Sequence, residues 1–135
     1  MTSNLFKIFQ SICRSVRDEP RPQGDNKLSD DYLTQLVYLF GDDLINALTL
    51  IDDKRIYLVR SDSGRQVFKV LSQDKPIHYI CYKNAYYCTC LAFKHKVISS
   101  DSIMCKHLIA TRIADAMGLI EIENINDQQM ADLLK

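Results

Sequence analysis

The stretch YYCTC at residues 86–90, with CKH following at 105–107, decides the fold of this chain. The first stretch sets Cys88 and Cys90 one residue apart, directly after two tyrosines. In a β-strand, residues i and i+2 point to the same face, so both thiols should project to one side while Thr89 faces away. This stretch therefore provides one preformed half of a site that binds through sulfur.

The tripeptide CKH supplies the second half through Cys105 and His107. Residues i and i+2 of a regular helix lie about 200° apart, so these two side chains cannot both reach one ion from inside a helix. We therefore expect Cys105 just before a helix and His107 in its first turn. There the unpaired N–H groups and the helix dipole favour a thiolate and are expected to lower its pKa.

Three thiols and one imidazole form a donor set that zinc binds tetrahedrally in proteins. Because four protein ligands leave no position for water or substrate, the pattern predicts a structural ion and not a Lewis-acid catalyst. We accordingly expect no enzymatic activity. The sequence predicts one structural zinc ion with the metal ligands Cys88, Cys90, Cys105 and His107.

Two alternatives to this ligand set stay open at the level of sequence. His95, inside the fourteen-residue insert between the two halves, could replace His107 as a ligand. The cysteines could also be reduced packing residues beside an unrelated histidine. A nucleophilic pair of His78 and Cys81 is not expected, because residues three apart on a strand face opposite sides.

The composition is that of an ordinary globular protein of 135 residues, 47% of them hydrophobic and 25% charged. No apolar run is long enough to span a bilayer, and the first residues do not resemble a secretory signal. We expect a cytoplasmic or nuclear protein whose cysteines stay reduced. Seventeen basic and seventeen acidic residues argue against a surface that binds DNA by phosphate neutralisation alone.

Apolar residues recur at helical spacing from Leu5 to Val16 and predict an amphipathic helix. Its apolar stripe could cover the chain's own core or fill a partner's groove. The segment DEPRPQGDNK at 18–27 predicts a flexible connection. We therefore divide the chain into an N-terminal helix and linker at 1–27 and a zinc-binding domain at 28–135.

Three further helices are marked by their ends. Ser29 can cap a helix that stops at Gly41, and a shorter helix follows at 42–51. A later helix begins near Cys105 and ends at Gly118.

Between these helices the apolar period changes to two, which is typical of strands. The four predicted strands are RIYLVR at 55–60, RQVFKVL at 65–71, IHYICY at 77–82 and YYCTC at 86–90. A final short helix is expected from Asp127. The predicted class is α+β, with N-terminal helices, a four-stranded antiparallel meander and a C-terminal helix joined to the last strand by the structural zinc site.

The spacing of the four ligands resembles the SWIM zinc finger family, whose pattern is CxC, a variable insert and then CxH. The helix continues as CKHLIA, so Ala110 matches the CxHxxA extension of that family. With the hairpin and the helix pair ahead of the motif, residues 28–135 are similar to the small SWIM-domain subunits of Shu-type complexes.

The resemblance implies a non-catalytic accessory subunit in homologous recombination repair, located in the nucleus. It implies a heterodimer with a RecA-like recombinase paralogue that promotes or stabilises recombinase filaments on single-stranded DNA. Contact with that DNA would come mainly through the complex, with no membrane and no small-molecule substrate. The alternative is a stand-alone nucleic-acid-binding SWIM zinc module of a transcription or transposition regulator.

Two sets of residues could contact nucleic acid directly. The cluster KHK at 94–96 could meet phosphates, although about three such contacts give only weak, salt-sensitive binding. Tyrosines could stack exposed bases or, as is usual in strands, pack half-buried; they are Tyr79, Tyr82, Tyr86 and Tyr87.

Overall fold

The computed structural model describes residues 2–20, 27–90 and 104–135. Its helices and strands, in chain order, are α1 (Thr2–Asp18), α2 (Asp30–Phe40), α3 (Asp42–Asp52), β1 (Ile56–Ser61), β2 (Gln66–Leu71), β3 (His78–Tyr82), α4 (Lys106–Met117), β4 (Glu121–Ile125) and α5 (Asp127–Leu133). The predicted α+β class is confirmed. In the described part of the chain, no helix is both long and apolar enough to cross a lipid bilayer.

The four strands form one sheet in the order β3-β2-β1-β4. The pairs β1/β2 and β2/β3 are antiparallel, whereas β4 runs parallel to β1. The sheet is therefore mixed, which corrects the expected antiparallel meander. A parallel neighbour requires a long crossover, and α4 supplies it by carrying the chain back along the sheet to the free edge of β1.

The fourth strand is also not the one that the sequence predicted. The segment at 86–90 lies beside β3 but forms only an isolated antiparallel bridge, between Cys81 and Cys88, and not a full strand. The edge position is taken by β4, whose sequence EIENI alternates too briefly to stand out as a strand.

The predicted helix ends are confirmed by their capping geometry. The Ser29 side chain accepts a hydrogen bond from the Tyr32 N–H at the start of α2. Gly41 donates its N–H to the Val37 carbonyl and separates α2 from α3. Gly118 ends α4 in the left-handed region at φ 71°, a conformation that glycine adopts without a Cβ clash.

The main core lies between one face of the sheet and the helices α1, α3 and α4. From α1 it receives the buried side chains of Phe9, Ile12 and Val16. The Phe9 ring meets the Phe40 ring of α2 edge-on, with centroids 5.0 Å apart. The apolar stripe of α1 thus packs into the chain's own core. The connection predicted at 18–27 lies mostly outside the described residues, and the division of the chain at residue 27 stays a prediction.

The opposite face of the sheet is covered in part by α5, the short helix expected from Asp127. Met130 of α5 is buried against Val59, Val67 and Ile80 of the sheet. A capping box opens the helix: the Asn126 side chain accepts the Gln129 N–H, and the Gln129 side chain accepts the Asn126 N–H.

Arg112 on α4 fixes the turn that leads from β3 to the first cysteine pair. Its guanidinium donates to the carbonyl of Tyr82 at 2.7 Å, to that of Ala85 at 2.9 Å and to that of Lys83. It also lies 4.9 Å from the centre of the Tyr86 ring. Charge-assisted hydrogen bonds are stronger than neutral ones, so this one side chain holds the turn against α4.

Replacement of Phe9 tests whether α1 stabilises this core. We expect Phe9→Ala to lower the free energy of unfolding by about 3–5 kcal/mol, because a fully buried ring is lost and a cavity is left. The neighbouring Ile8 is 47% exposed on the same helix, so Ile8→Ala should cost less than about 1 kcal/mol. Urea denaturation of both variants measures the difference, and equal costs would contradict the packing of α1.

Replacement of Arg112 tests the attachment of the turn. We expect Arg112→Met to lower the free energy of unfolding by about 2–4 kcal/mol, because partly buried carbonyls lose a charged donor. The matched control is Arg17→Met, since Arg17 forms only an exposed 3.4 Å ion pair with Asp115 and should cost about 0–1 kcal/mol. Denaturation at one fixed zinc concentration provides the comparison. An Arg112 variant as stable as the control would refute the role of the turn.

Candidate metal centre

Four side chains that the sequence separates into two halves meet at one point in the fold. One donor atom from each of them lies within 4.8 Å of all the others, and all four residues are buried; they are Cys88, Cys90, Cys105 and His107. The structure thus brings together every residue of the predicted ligand set. Among the described residues, this cluster could hold one metal ion.

The first pair of thiols is positioned by hydrogen bonds to β3. The Thr89 N–H donates to the Ile80 carbonyl at 3.1 Å, and the Ile80 N–H donates to the Thr89 hydroxyl at 3.0 Å. Thr89 is exposed, whereas Cys88 and Cys90 on either side of it are buried. The predicted alternation, with both sulfurs to one side, is therefore confirmed even though the segment is not a full strand.

The second pair stands at the N-terminal end of α4. Cys105 is the N-cap residue, with extended backbone angles, and its carbonyl accepts the Ile109 N–H at 3.1 Å. Its side chain does not cap the helix, so the sulfur is available to the cluster. His107 is the second residue of the helix, as the i, i+2 argument requires. The predicted position of both residues is confirmed.

The His107 imidazole is oriented with Nδ1 toward the cysteines. This nitrogen lies 3.8 Å from the Cys88 sulfur. A tetrahedral zinc ion with bonds of about 2.0 Å to nitrogen and about 2.3 Å to sulfur would separate those two atoms by about 3.5 Å. The observed spacing therefore fits a shared ion with only a small adjustment.

Tyr79 on β3 packs against the same imidazole. Its ring centre lies 4.4 Å from that of His107, with 31° between the ring planes. The contact fixes the plane of the imidazole from the side of the sheet, as second-shell groups of metal sites do. Sequence reasoning missed this role because Tyr79 was one of several strand tyrosines, and nothing in its local pattern singles it out.

Cys88 and Cys105 hold their protons more firmly than ordinary thiols when no cation is bound. Hydrogen bonds with Cys88 and Cys90, together with burial, raise the pKa of Cys105, whereas its place before a helix had predicted a lowering. For Cys88, the hydrogen bond with Cys105 lowers the pKa, but those with Cys81 and Cys90 and burial raise it on balance. A bound divalent cation is what would stabilise thiolates here, because a coordinating thiol loses its proton.

The other candidates among the described residues do not join this centre. Cys81 is fully buried beside Cys88, whereas His78 three residues earlier is exposed, so the two do not form a nucleophilic pair. Cys13 lies half-buried on α1, where burial raises the pKa of its thiol to about 12. His95 and the KHK cluster at 94–96 lie outside the described residues.

The tyrosines that could stack on bases make ring contacts within the protein, although Tyr87 is 43% exposed. Tyr86 lies between Arg112 and the Phe6 ring, whose centre is 4.6 Å away. Tyr82 and Tyr87 pair with each other at 5.4 Å. Together with the packing of Tyr79 on the imidazole, these contacts favour the structural interpretation over stacking on nucleic acid.

Related proteins share most of this chain's length. The zinc finger SWIM domain-containing protein 7 of Danio rerio is 36% identical over 99% of this chain and 94% of its own length. The human protein of the same name is 38% identical over 83% of this chain and 80% of its own length. The mouse protein is 33% identical, over 95% and 80% respectively.

No protein-family model matches the chain, and no solved structure matches it significantly. The alignment with the fish protein is long enough to include α1, which the motif-based resemblance left out. The similarity to the SWIM zinc finger family that the CxC and CxH pattern indicated is thereby confirmed. At these levels of identity and coverage, the chain belongs to the family of zinc finger SWIM domain-containing protein 7.

Proposed function

We propose that Cys88, Cys90, Cys105 and His107 bind one structural zinc ion. The observation that carries this proposal is the convergence of four buried donors within 4.8 Å in a chain whose relatives are named zinc finger proteins. Three thiolates and one imidazole match the closed tetrahedral shells of structural zinc sites. Bound there, zinc would tie the segment after β3 to the first turn of α4.

The protein acts, in this proposal, without catalysing a reaction. Four protein ligands complete a tetrahedral shell, and a catalytic zinc needs an open position for water or substrate. The three cysteines of the cluster all belong to the proposed metal shell. A thiolate that binds zinc is not free to act as a nucleophile. Family membership supports the same conclusion, since the SWIM resemblance implies a binding module.

We further propose that the chain is a nuclear accessory subunit of homologous recombination repair. In this role it pairs with a RecA-like recombinase paralogue, and the pair promotes or stabilises recombinase filaments on single-stranded DNA. Support comes from membership of the SWIM domain-containing protein 7 family and from the sequence resemblance to Shu-type subunits. A formal net charge of zero suits a protein that reaches DNA mainly through a complex.

Removal of one ligand tests the zinc proposal. We expect about one zinc per chain in the wild type, and loss of zinc with loss of soluble folding in Cys105→Ala and His107→Ala. The physical reason is that structural zinc contributes about 10–16 kcal/mol in small domains, more than most domains have in total stability. Elemental analysis and circular dichroism of the purified, reduced protein provide both readings.

Cys81 supplies the matched control for this experiment. It is buried next to Cys88 but lies outside the four-donor cluster. Cys81→Ala should therefore retain one zinc per chain and a folded spectrum. Full zinc retention in Cys105→Ala, or loss of zinc in Cys81→Ala, would contradict the assigned ligands.

Reconstitution tests the accessory role against the stand-alone alternative. Co-expression with a RecA-like recombinase paralogue from the same genome should yield a 1:1 complex that survives size-exclusion chromatography. The isolated chain should bind single-stranded DNA weakly. The slope of log K against log salt concentration should be no steeper than about −2, as about three phosphate contacts would give. Tight, steeply salt-dependent binding by the chain alone, without complex formation, would favour the stand-alone zinc module.

A further inference from the structure

The turn between α2 and α3 carries large apolar side chains that face solvent. Tyr38 is 90% exposed, Ile45 is 61% exposed and Val37 is 50% exposed. Val37 and Tyr38 lie in the last turn of α2 and Ile45 in the first turn of α3, with Gly41 as the single residue between the helices. We call these three side chains the hairpin patch. Exposed apolar groups clustered in this way mark interaction sites on soluble proteins.

The surroundings of the hairpin patch are acidic. Residues 28–53 contain no lysine or arginine and six aspartates, which gives this segment a net charge of −6; they are Asp30, Asp31, Asp42, Asp43, Asp52 and Asp53. Five of the six are exposed, and Asp43 is half-buried. Among the described residues, the ion pairs join Arg17 to Asp115, Lys69 to Glu123 and Lys135 to Asp132, so none of them neutralises this segment.

Helix stability explains only part of this acidity. Asp30 and Asp31 stand in the first turn of α2, and Asp42 stands in the first turn of α3, where the helix dipole favours negative charge. Asp52 and Asp53 stand at the opposite end of α3, where the dipole disfavours it. Asp53 accepts a hydrogen bond from the Gln73 side chain at 3.1 Å, but the negative charge at that end still works against the helix dipole.

Two threonines on the exposed sides of these helices add little polarity. The Thr34 hydroxyl donates to the Asp30 carbonyl at 2.9 Å, and the Thr49 hydroxyl donates to the Ile45 carbonyl at 3.0 Å. Both hydroxyls are thus satisfied by their own helix. The hairpin patch therefore lies on a pair of helices whose charged side chains are all carboxylates, and we call these six aspartates the carboxylate rim.

We infer that the hairpin patch docks into an apolar groove of a partner protein whose rim is lined with lysine and arginine. The inference deepens the proposed function and rests on it, because it assigns the surface through which the chain meets its partner. Tyrosine is among the residue types that anchor interfaces, and Tyr38 is the most exposed large apolar residue of the described chain. The carboxylate rim steers a basic partner and sets its orientation.

A second copy of this chain does not suit the patch. A two-fold dimer would place the same surface against itself and bring two segments of charge −6 together. Phosphate-rich surfaces are excluded for the same reason, because nucleic acid and anionic lipid carry the same sign of charge. The charge therefore selects a basic protein surface.

The test measures binding of patch variants to the co-expressed RecA-like recombinase paralogue. We expect the double variant Tyr38→Ser/Ile45→Ser to raise the dissociation constant at least tenfold, as measured by calorimetry or interferometry. The matched control is Ile77→Ser/Ile122→Ser, which removes two isoleucines of similar exposure, 46% and 50%, elsewhere on the surface. The control should stay within about twofold of the wild type, and both variants should keep the wild-type zinc content and spectrum.

The carboxylate rim is tested by its dependence on salt. Asp52→Asn/Asp53→Asn should slow association with the paralogue several-fold at low salt and lose that effect at high salt, as steering requires. The charge-matched control, Asp18→Asn/Asp62→Asn, removes two exposed carboxylates outside the segment and should leave the association rate unchanged. Equal effects of the two pairs would overturn the role of the rim.

The outcomes separate this inference from the proposed function. If the paralogue complex forms and the Tyr38→Ser/Ile45→Ser variant binds with unchanged affinity, the docking surface is overturned. The accessory role then stays intact. Failure of the wild-type chain to form any complex with the paralogue overturns both. A wild-type homodimer that Tyr38→Ser dissociates, observed by sedimentation, also overturns the inference, because a second copy would then cover the patch.

Discussion

The meeting of three buried thiols and one imidazole at the start of α4 is the constraint on which the rest of this structure depends. Mutual hydrogen bonding and burial raise the pKa of Cys88 and Cys105 on balance when no cation is bound, so a metal ion that binds there would have to displace their protons. The cluster joins a segment anchored on β3 to a helix that begins sixteen residues after Cys90. A metal ion bound there, as we propose, would fix both the edge of the sheet and the direction of the helix.

The helix α4 transmits this constraint to the whole fold. Its first turn carries His107, its buried face packs on the sheet, α1 and α3, and its Arg112 holds the turn before the first cysteine pair. It also forms the crossover that places β4 parallel to β1. Site and core therefore share one element, which explains why we expect the loss of a ligand to reach far beyond the metal centre.

The distribution of surface charge suits a protein that acts through binding to a partner protein. The overall balance of seventeen basic and seventeen acidic residues conceals a segment at 28–53 that is acidic throughout. All four tyrosines that could have stacked on bases pack against His107, Arg112 or each other. The patch on the α2–α3 turn has no such internal role, and this contrast between engaged and exposed aromatic rings is the reason for assigning it to a partner.

The sequence by itself determined whatever depends on neighbours a few residues apart. The alternation around Thr89, the position of Cys105 before a helix, the caps at Ser29 and Gly41 and the ligand pairs all follow from local periodicity and backbone geometry. Tertiary structure alone decided the parallel pairing of β4, the stacking of Tyr79 on His107 and the reach of Arg112 to the Tyr82 carbonyl, thirty residues away. Such contacts depend on how α4 packs on the sheet, and that packing is set by the whole core and not by any short pattern.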